Sequence, residues 1–324
     1  MGYAIGADLG GTNLRVAAVD EAGALLEKRV IPTDAANRTV DRVLDAMCAA
    51  IDALVDRHEG SRPLHGVGVG VPGILDFDAG VLRASPSLPG WRDVPVRAAL
   101  ETRLRRPILL DNDANLAAVG EHWRGAGRGD PEMCMLTLGT GVGGAILRGG
   151  HPWRGAHGMA GELGHWPLHP DGPPCTCGAR GCLERYASAT AVARLAREAV
   201  ERDGAPSLAG VLDREEPAAV ARRVHELALA GDAFAREVYR QVGVALGIAL
   251  AGLVNALDLS TYVLGGGVSC AWGMFAPALF EEVRRRSFVY ATVGDGTRIV
   301  RAEMPHDAGL YGACRAVFAL AGVP

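Results

Sequence analysis

The chain has 324 residues, of which 49% are hydrophobic and 22% are charged, a globular balance that excludes a disordered or collagen-like protein. The net charge of −4 argues against a strong non-specific nucleic-acid binder. Two counts are unusual, because there are 44 glycines and Lys28 is the single lysine among 33 basic residues. Lys28 follows Glu27 instead of a glycine, so no lysine-containing phosphate loop exists and backbone amides or arginines must bind any phosphate.

In the first part of the chain, strands and helices alternate. Periodicity and turn residues predict strands at 3–8, 15–19, 25–31, 66–71 and 108–110, and helices at 40–55, 94–104 and 114–123. Such a pattern is typical of a mixed sheet with helices on its faces.

The second part repeats the opening of the first. After a glycine-rich stretch at 125–129, strands at 133–138 and 145–148 flank a glycine turn in the manner of the first hairpin. Helices are predicted at 189–201, 218–229, 232–257, 275–285 and 308–321, with strands at 261–264 and 298–302. We therefore predict a duplicated chain with an N-terminal lobe at 1–125 and a C-terminal lobe at 126–324. The last helix is a candidate to return to the first lobe, and a ligand site is expected in a cleft between the lobes.

Glycine turns after strands predict binding of a nucleotide. A strand–glycine turn–strand hairpin exposes backbone N–H groups that can bind an anion without a lysine. The predicted nucleotide residues lie in three such turns, and they are Gly10, Gly11, Thr12, Asn13, Gly139, Thr140, Gly141, Gly265, Gly266 and Gly267. Asp8 precedes the first turn and could hold a hydrated Mg²⁺ beside the phosphates. The alternative is that these glycines serve only tight turns.

An acidic residue follows the last predicted strand of the first lobe. Asn112 and Asp113 lie where the strand passes into a helix. Asp113 could be a simple helix N-cap. It could instead accept the proton of an alcohol that Asn112 orients, as phosphoryl transfer to a hydroxyl requires.

A cluster of metal-ligand residues lies in the glycine- and proline-rich insertion at 151–182. His165 is followed by Cys175, Cys177 and Cys182, a set that predicts a closed structural zinc site. A reactive-thiol loop or a disulfide between Cys177 and Cys182 are the alternatives.

Together these motifs resemble the ROK family of sugar kinases and repressors over essentially the whole chain. The family's first phosphate motif is similar to residues 8–12, its catalytic motif to 112–115, its E-x-G-H motif to 162–165 and its zinc motif to 175–184. The resemblance implies a duplicated α/β fold of the actin-like, ribonuclease-H-like ATPase type with a zinc-knuckle insertion. It also implies ATP with Mg²⁺ and transfer of the γ-phosphate to a hexose C6 hydroxyl, with Asp113 as the base.

The same resemblance implies a set of sugar-binding residues. They are Gly73, Ser87, Asn112, Asp113, Glu162, His165 and Glu184. His165 would use one ring nitrogen for zinc and the other for the sugar. Within the family the chain is most similar to bacterial glucokinases, although Ser87 stands where the sugar loop usually has asparagine and residues 188–190 depart from the common Ser-Gly-Pro.

Glucose is therefore the expected substrate. The alternatives are another hexose or N-acylhexosamine (mannose, fructose, N-acetylglucosamine or N-acetylmannosamine) and, less favoured, a sugar-responsive regulator that lacks a DNA-binding domain. A regulator would need a helix-turn-helix domain before Asp8, where there is no room for one. We also expect a cytoplasmic homo-oligomer, a dimer or tetramer, with no secretory signal and no membrane or nucleic-acid partner.

Overall fold

The computed structural model describes residues 1–33, 39–212 and 216–323. The chain forms two compact units. Unit 1 holds Met1–Pro131, Ala145–Gly161 and His306–Pro324, and unit 2 holds Glu132–Gly144 and Glu162–Pro305. Residues 145–161 and the last helix lie with unit 1. The sequence placed 145–161 in the C-terminal lobe and made the last helix a candidate to return to the first lobe.

The elements up to the first glycine-rich boundary follow the predicted order with one addition. In chain order they are β1 (Tyr3–Leu9), β2 (Asn13–Asp20), β3 (Leu25–Pro32), α1 (Val40–His58), β4 (Leu64–Val71), β5 (Ile74–Asp76), β6 (Val81–Ala84), β7 (Arg92–Val94), α2 (Val96–Leu104), β8 (Ile108–Asn112) and α3 (Asp113–Arg124). The addition is a small antiparallel sheet, β5-β6-β7, which the sequence analysis did not predict.

Each later element that was predicted has the predicted type, and four short elements at 151–152, 184–187, 206–209 and 288–293 were not predicted. The later elements are β9 (Glu132–Leu138), β10 (Val142–Arg148), β11 (His151–Pro152), α4 (Glu184–Ala187), α5 (Ala189–Asp203), α6 (Pro206–Ala209), α7 (Pro217–Leu229), α8 (Ala233–Leu257), β12 (Thr261–Gly265), α9 (Trp272–Arg286), α10 (Phe288–Val293), β13 (Arg298–Arg301) and α11 (Ala308–Leu320). Short 3-10 turns occupy Leu163–His165, Gly267–Ala271 and Gly294–Gly296.

Two five-stranded sheets have the same construction. The first has the order β3-β2-β1-β4-β8 and the second β11-β10-β9-β12-β13. In the first, β1, β2 and β3 pair antiparallel, and β1, β4 and β8 pair parallel. In the second, β10 and β11 pair antiparallel, whereas β12 pairs parallel with both β9 and β13. This shared order agrees with the duplication predicted from the two glycine hairpins.

Helices cover both faces of the first sheet. One face packs on α1 and α2, through side chains such as Met47, Ile51 and Leu100, all fully buried. The other face packs on α11, where Cys314 and Phe318 contact Ala4 and Val19. A sheet buried on both faces explains why residues 3–7 of β1 are all apolar instead of alternating with polar residues.

Glycines allow α3 and α11 to approach each other closely. A Cβ on Gly120 would lie 2.0 Å from the Ala308 carbonyl oxygen, and a Cβ on Gly312 would lie 1.7 Å from that of Leu116. Neither distance is compatible with a side chain, because interior packing leaves no such overlap. Part of the glycine excess is therefore needed for helix packing in unit 1.

The longest helix, α8, belongs to unit 2. Among the described helices it alone is long and apolar enough to cross a membrane, and 56% of its most apolar stretch is buried in the protein. Its Gly243 and Gly247 face the backbone of α9, where added Cβ atoms would lie 2.2 Å and 2.6 Å from carbonyl oxygens. These contacts are those of a core helix.

Candidate active site

The first glycine turn joins β1 to β2 in unit 1. The Gly10 N–H donates to the Asn13 carbonyl at 2.9 Å, and the Thr33 hydroxyl donates to the Gly10 carbonyl at 2.8 Å. Gly11 lies against Ser87, since an added Cβ would be 2.7 Å from the Ser87 carbonyl oxygen. The structure therefore brings Ser87, a predicted sugar residue, to the predicted phosphate turn through its backbone.

Asp8 lies at the end of β1 beside this turn. Its carboxylate is 3.4 Å from the Arg15 guanidinium, directly across the hairpin. Burial raises the pKa of Asp8, and Arg15 opposes that rise. Asp8 is thus a partly screened carboxylate next to backbone N–H groups, which suits a hydrated cation held beside phosphate.

Asn112 and Asp113 form the corner at which β8 passes into α3. Asn112 is the helix N-cap, because its side-chain oxygen accepts hydrogen bonds from the Ala114 and Asn115 N–H groups at 2.9 and 3.3 Å. Its amide donates to the Gly73 carbonyl at 3.1 Å. Asp113 is the first helical residue, so the proposed capping role belongs to its neighbour, and capping does not account for Asp113.

The residue before this corner was missed by the sequence analysis. Asp111 is 3% exposed, and its Oδ1 accepts hydrogen bonds from the Asn115 side-chain amide at 3.0 Å and from the Asn112 N–H at 2.7 Å. Its other oxygen pairs with the guanidinium of Arg154, which lies in the returning segment 145–161. No local pattern marks this pair, because its members are 43 residues apart. The sequence feature that points to Asp111 is the run of three polar residues at 111–113 directly after an apolar strand.

The four predicted zinc ligands meet in unit 2. The ligand atoms of His165, Cys175, Cys177 and Cys182 all lie within 4.8 Å of one another. Cys177 Sγ and Cys182 Sγ are 3.7 Å apart as free thiols, and His165 Nδ1 is 3.6 Å from Cys175 Sγ. Burial raises the pKa of Cys182 to about 12, whereas the Ala179 N–H lowers the pKa of Cys177.

The second nitrogen of His165 faces away from the cysteines. His165 Nε2 is 3.9 Å from Glu162 Oε2. Burial raises the pKa of Glu162, and the nearby Glu184 raises it further against the opposing effect of His165. Glu162, His165 and Glu184 therefore form one polar cluster beside the cysteines.

Glu184 connects this cluster to the second glycine turn. Its Oε2 accepts a hydrogen bond from the Val142 N–H at 3.0 Å, and a Cβ on Gly141 would lie 2.2 Å from the same oxygen. The turn is also held by α5, whose Ala189 N–H donates to the Gly139 carbonyl at 2.8 Å, while the Thr190 hydroxyl donates to the Thr140 carbonyl at 2.8 Å.

The third glycine turn lies against the second. Gly266 has a φ of +79°, and a Cβ there would be 2.6 Å from the carbonyl oxygen of Leu138, the residue before Gly139. Gly265 ends β12, and Gly267 begins the following 3-10 turn. Unit 2 thus holds two of the predicted nucleotide turns together with Glu162, His165 and Glu184, and unit 1 holds Asp8, the first turn, Gly73, Ser87, Asn112 and Asp113.

Comparison with known proteins gives concordant results. The model of the ROK family matches residues 4–319. A glucokinase of Halalkalibacterium halodurans is 39% identical over 315 residues, which cover 95% of this chain and 92% of that protein.

Solved structures agree with the sequence match. A ROK hexokinase from Thermus thermophilus has a TM-score of 0.80 at 37% identity and covers 99% of this chain and 100% of that one. A ROK family glucokinase from Streptomyces griseus, solved in complex with glucose and AMPPNP, has a TM-score of 0.82 at 33% identity, covering 97% of this chain and 99% of that one. The predicted fold class is confirmed.

Proposed function

Since the chain belongs to the ROK family, we propose that it is a sugar kinase that transfers the γ-phosphate of ATP to the C6 hydroxyl of glucose. The observation that carries this function is the likeness to glucokinases over nearly the whole chain, one of them solved with glucose and an ATP analogue. The polar corner at Asn112 and Asp113 and the three glycine turns supply the groups that this reaction needs.

We assign the general base to Asp113. The carboxylate takes the proton of the C6 hydroxyl while that oxygen forms a bond to the γ-phosphorus. The bond between the γ-phosphorus and the bridging oxygen breaks, and ADP leaves. Asn112 orients the same hydroxyl, and its position is set by the hydrogen bonds to Gly73 and to the first turn of α3. For phosphoryl transfer to an alcohol, a protein has to position the reacting hydroxyl and to supply a base.

The remaining sugar hydroxyls are assigned to Glu162, His165 and Glu184, and Gly73 and Ser87 are also assigned to the sugar. Carboxylates accept hydrogen bonds from hydroxyl groups, and His165 Nε2 faces Glu162 instead of the cysteines. A site that hydrogen-bonds each hydroxyl discriminates strongly against sugars that lack one.

The three glycine turns are assigned to ATP, with Asp8 holding Mg²⁺ through water. The residues fit this role, because a glycine turn exposes backbone N–H groups and Asp8 offers a carboxylate beside the first turn. The Gly10 and Gly139 N–H groups bond within their own turns, so the other N–H groups of the turns are the ones assigned to the phosphates. When bound, Mg²⁺ neutralises the charge that develops on the phosphates.

The cysteine cluster is assigned to a structural zinc ion. With Zn–S bonds of about 2.3 Å and a Zn–N bond of about 2.0–2.1 Å, a tetrahedral ion separates two sulfurs by about 3.8 Å and a sulfur and a nitrogen by about 3.6 Å. Two of the ligand distances, Cys177 Sγ to Cys182 Sγ at 3.7 Å and Cys175 Sγ to His165 Nδ1 at 3.6 Å, fit these values, and all four ligand atoms lie within 4.8 Å of one another. Four protein ligands leave no position for a reacting water, so the ion would stabilise the loop that carries His165.

Two further properties belong to the proposal. We place the protein in the cytoplasm, where ATP is available, and we expect a dimer or tetramer. Exposed apolar side chains support an assembly, among them Phe288, which is 81% exposed. Light scattering of the purified protein measures the assembly directly.

A coupled assay that detects ADP tests the function. Glucose, mannose, fructose, N-acetylglucosamine and N-acetylmannosamine are compared with ATP as donor, and glucose is also tested with polyphosphate. We expect the highest kcat/KM with glucose and ATP. A higher value with another sugar would reassign the substrate, and no turnover with any sugar would overturn the proposal.

A further inference from the structure

Arg154 makes contacts that no part of the proposed reaction accounts for. Its guanidinium pairs with the buried carboxylate of Asp111, which directly precedes Asn112 and Asp113. It also stacks on the Phe77 ring, with its central carbon 4.0 Å from the ring centroid. A planar guanidinium can pair and stack at the same time, which an ammonium group cannot do equally well.

The backbone of Arg154 holds a second segment. Its carbonyl accepts a hydrogen bond from the Ala160 N–H at 3.0 Å, and this bond closes the loop over Gly155. Ala160 precedes Glu162 by two residues. Arg154 therefore contacts, through its side chain, the strand end that leads to Asp113 and, through its backbone, the loop that leads to Glu162.

Asp111 connects Arg154 to the Asn112–Asp113 corner through hydrogen bonds. One of its oxygens accepts from the side chain of Asn115 and from the backbone of Asn112, while the other binds Arg154. Rotation of the Asp111 carboxylate would break these bonds together. Since Asn112 is the N-cap that positions the first turn of α3, a shift at Asp111 moves the residue assigned as the base.

From these contacts, and resting on the proposed function, we infer that Arg154 is a positioning residue for sugar phosphorylation, which aligns the Asn112–Asp113 corner and the start of the Glu162 loop. In this role Arg154 acts through Asp111 and not on the substrate itself. Small displacements of catalytic groups have large effects on rate, so its loss should act on glucose turnover more than on ATP binding.

Steady-state kinetics of Arg154→Gln, Arg154→Lys and the control Arg240→Gln test the inference. Arg240 makes an exposed ion pair with Glu237 on α8. For Arg154→Gln we expect kcat/KM for glucose to fall by about 10- to 100-fold, while KM for MgATP stays within about a factor of two. Arg154→Lys should recover part of the loss, since it keeps the charge but not the planar stack. Arg240→Gln should match the wild type.

Replacing Arg154 and Asp111 together by uncharged residues distinguishes a loss of catalytic positioning from a loss of stability. Arg154→Gln alone leaves the Asp111 carboxylate buried without its counter-charge, which lowers the urea midpoint of unfolding. The double variant with Asp111→Asn should restore the midpoint while kcat/KM for glucose stays low. Recovery of both would mean that the pair serves only the fold, and would overturn the inference.

The outcomes distinguish this inference from the proposed function. If the wild type phosphorylates glucose and Arg154→Gln has the wild-type kcat/KM, only the inference fails. If the wild type phosphorylates no sugar, the proposed function fails and the inference fails with it. If Arg154→Gln does not fold, the inference is tested with Arg154→Lys and with the double variant Arg154→Gln/Asp111→Asn. The measurements are again kcat/KM for glucose and the urea midpoint of unfolding.

Discussion

The carboxylate of Glu184 holds the second glycine turn, because its Oε2 accepts the Val142 N–H at 3.0 Å and occupies the space that a side chain on Gly141 would need. The same side chain lies within 4.0 Å of Cys175 Sγ through its other oxygen. Glu184 therefore joins the metal cluster to a turn assigned to ATP, and its substitution should affect both substrates.

Comparing Glu184→Gln with Glu184→Ala separates its two contacts. The glutamine keeps an oxygen for the Val142 N–H but loses the charge, so KM for glucose should rise by about 10- to 100-fold while KM for MgATP changes little. The alanine loses both contacts, so both KM values should rise. Glu226→Ala, at an exposed pair with Arg223, is the control. An unchanged KM for MgATP in Glu184→Ala would contradict the link to the turn.

Asp113→Asn should remove the base and leave its surroundings intact. The amide oxygen can still accept the Ala114 N–H that now bonds to Asp113 Oδ1 at 2.9 Å. We expect kcat to fall by about 10²- to 10⁴-fold, the usual contribution of general-base catalysis. Calorimetry should find glucose binding retained. Asp45→Asn, at an exposed carboxylate of α1, is the control. A kcat near that of the wild type would exclude Asp113 as the base.

Cys177→Ser should release the metal. Elemental analysis of the wild type is expected to find about one zinc per chain, because the four ligands form a closed site. In the variant the zinc content should fall and KM for glucose should rise, since His165 loses the ion that orients its ring. Cys270→Ser, outside the cluster, should keep the metal. A wild-type protein without zinc would contradict the assignment.

Gly120→Ala should destabilise unit 1. The new methyl group would lie 2.0 Å from the Ala308 carbonyl oxygen, so α3 and α11 would have to separate, at a cost of about 1–3 kcal/mol or more. Gly273→Ala is the matched control, since Gly273 lies in the first turn of α9 with open space around it, and the change should not lower the stability. Urea unfolding measures both changes, and equal effects would contradict the packing argument.

Local patterns in the sequence predict most of the regular elements and the cluster of one histidine and three cysteines. The periodicity of α1 and the apolar runs of β1 and β4 depend on neighbours along the chain, so they are visible without a structure. The four residues proposed to bind zinc are likewise close in sequence, and the structure brings their ligand atoms within 4.8 Å of one another. The small sheet of β5, β6 and β7 was missed because two of its strands have only three residues each, too few to show alternation.

Long-range contacts account for what the sequence analysis could not predict. The return of residues 145–161 to unit 1 involves the pairing of Arg154 with Asp111, and neither residue lies in a recognisable motif. The distinction between Asn112 as cap and Asp113 as first helical residue was also invisible, because both residue types are good N-caps. Only the register between β8 and α3 decides between them.

The position of α11 has a consequence for the order of folding during synthesis. This helix supplies Leu310, Cys314 and Phe318 to one face of a sheet whose first strand begins at Tyr3. That face stays open to solvent until the ribosome has made residues 308–320. The long segment Glu162–Pro305 is synthesised earlier, so unit 2 can become compact before unit 1 is complete. A chain that is truncated before residue 308 and released from the ribosome should therefore have unit 2 protected from protease and unit 1 sensitive.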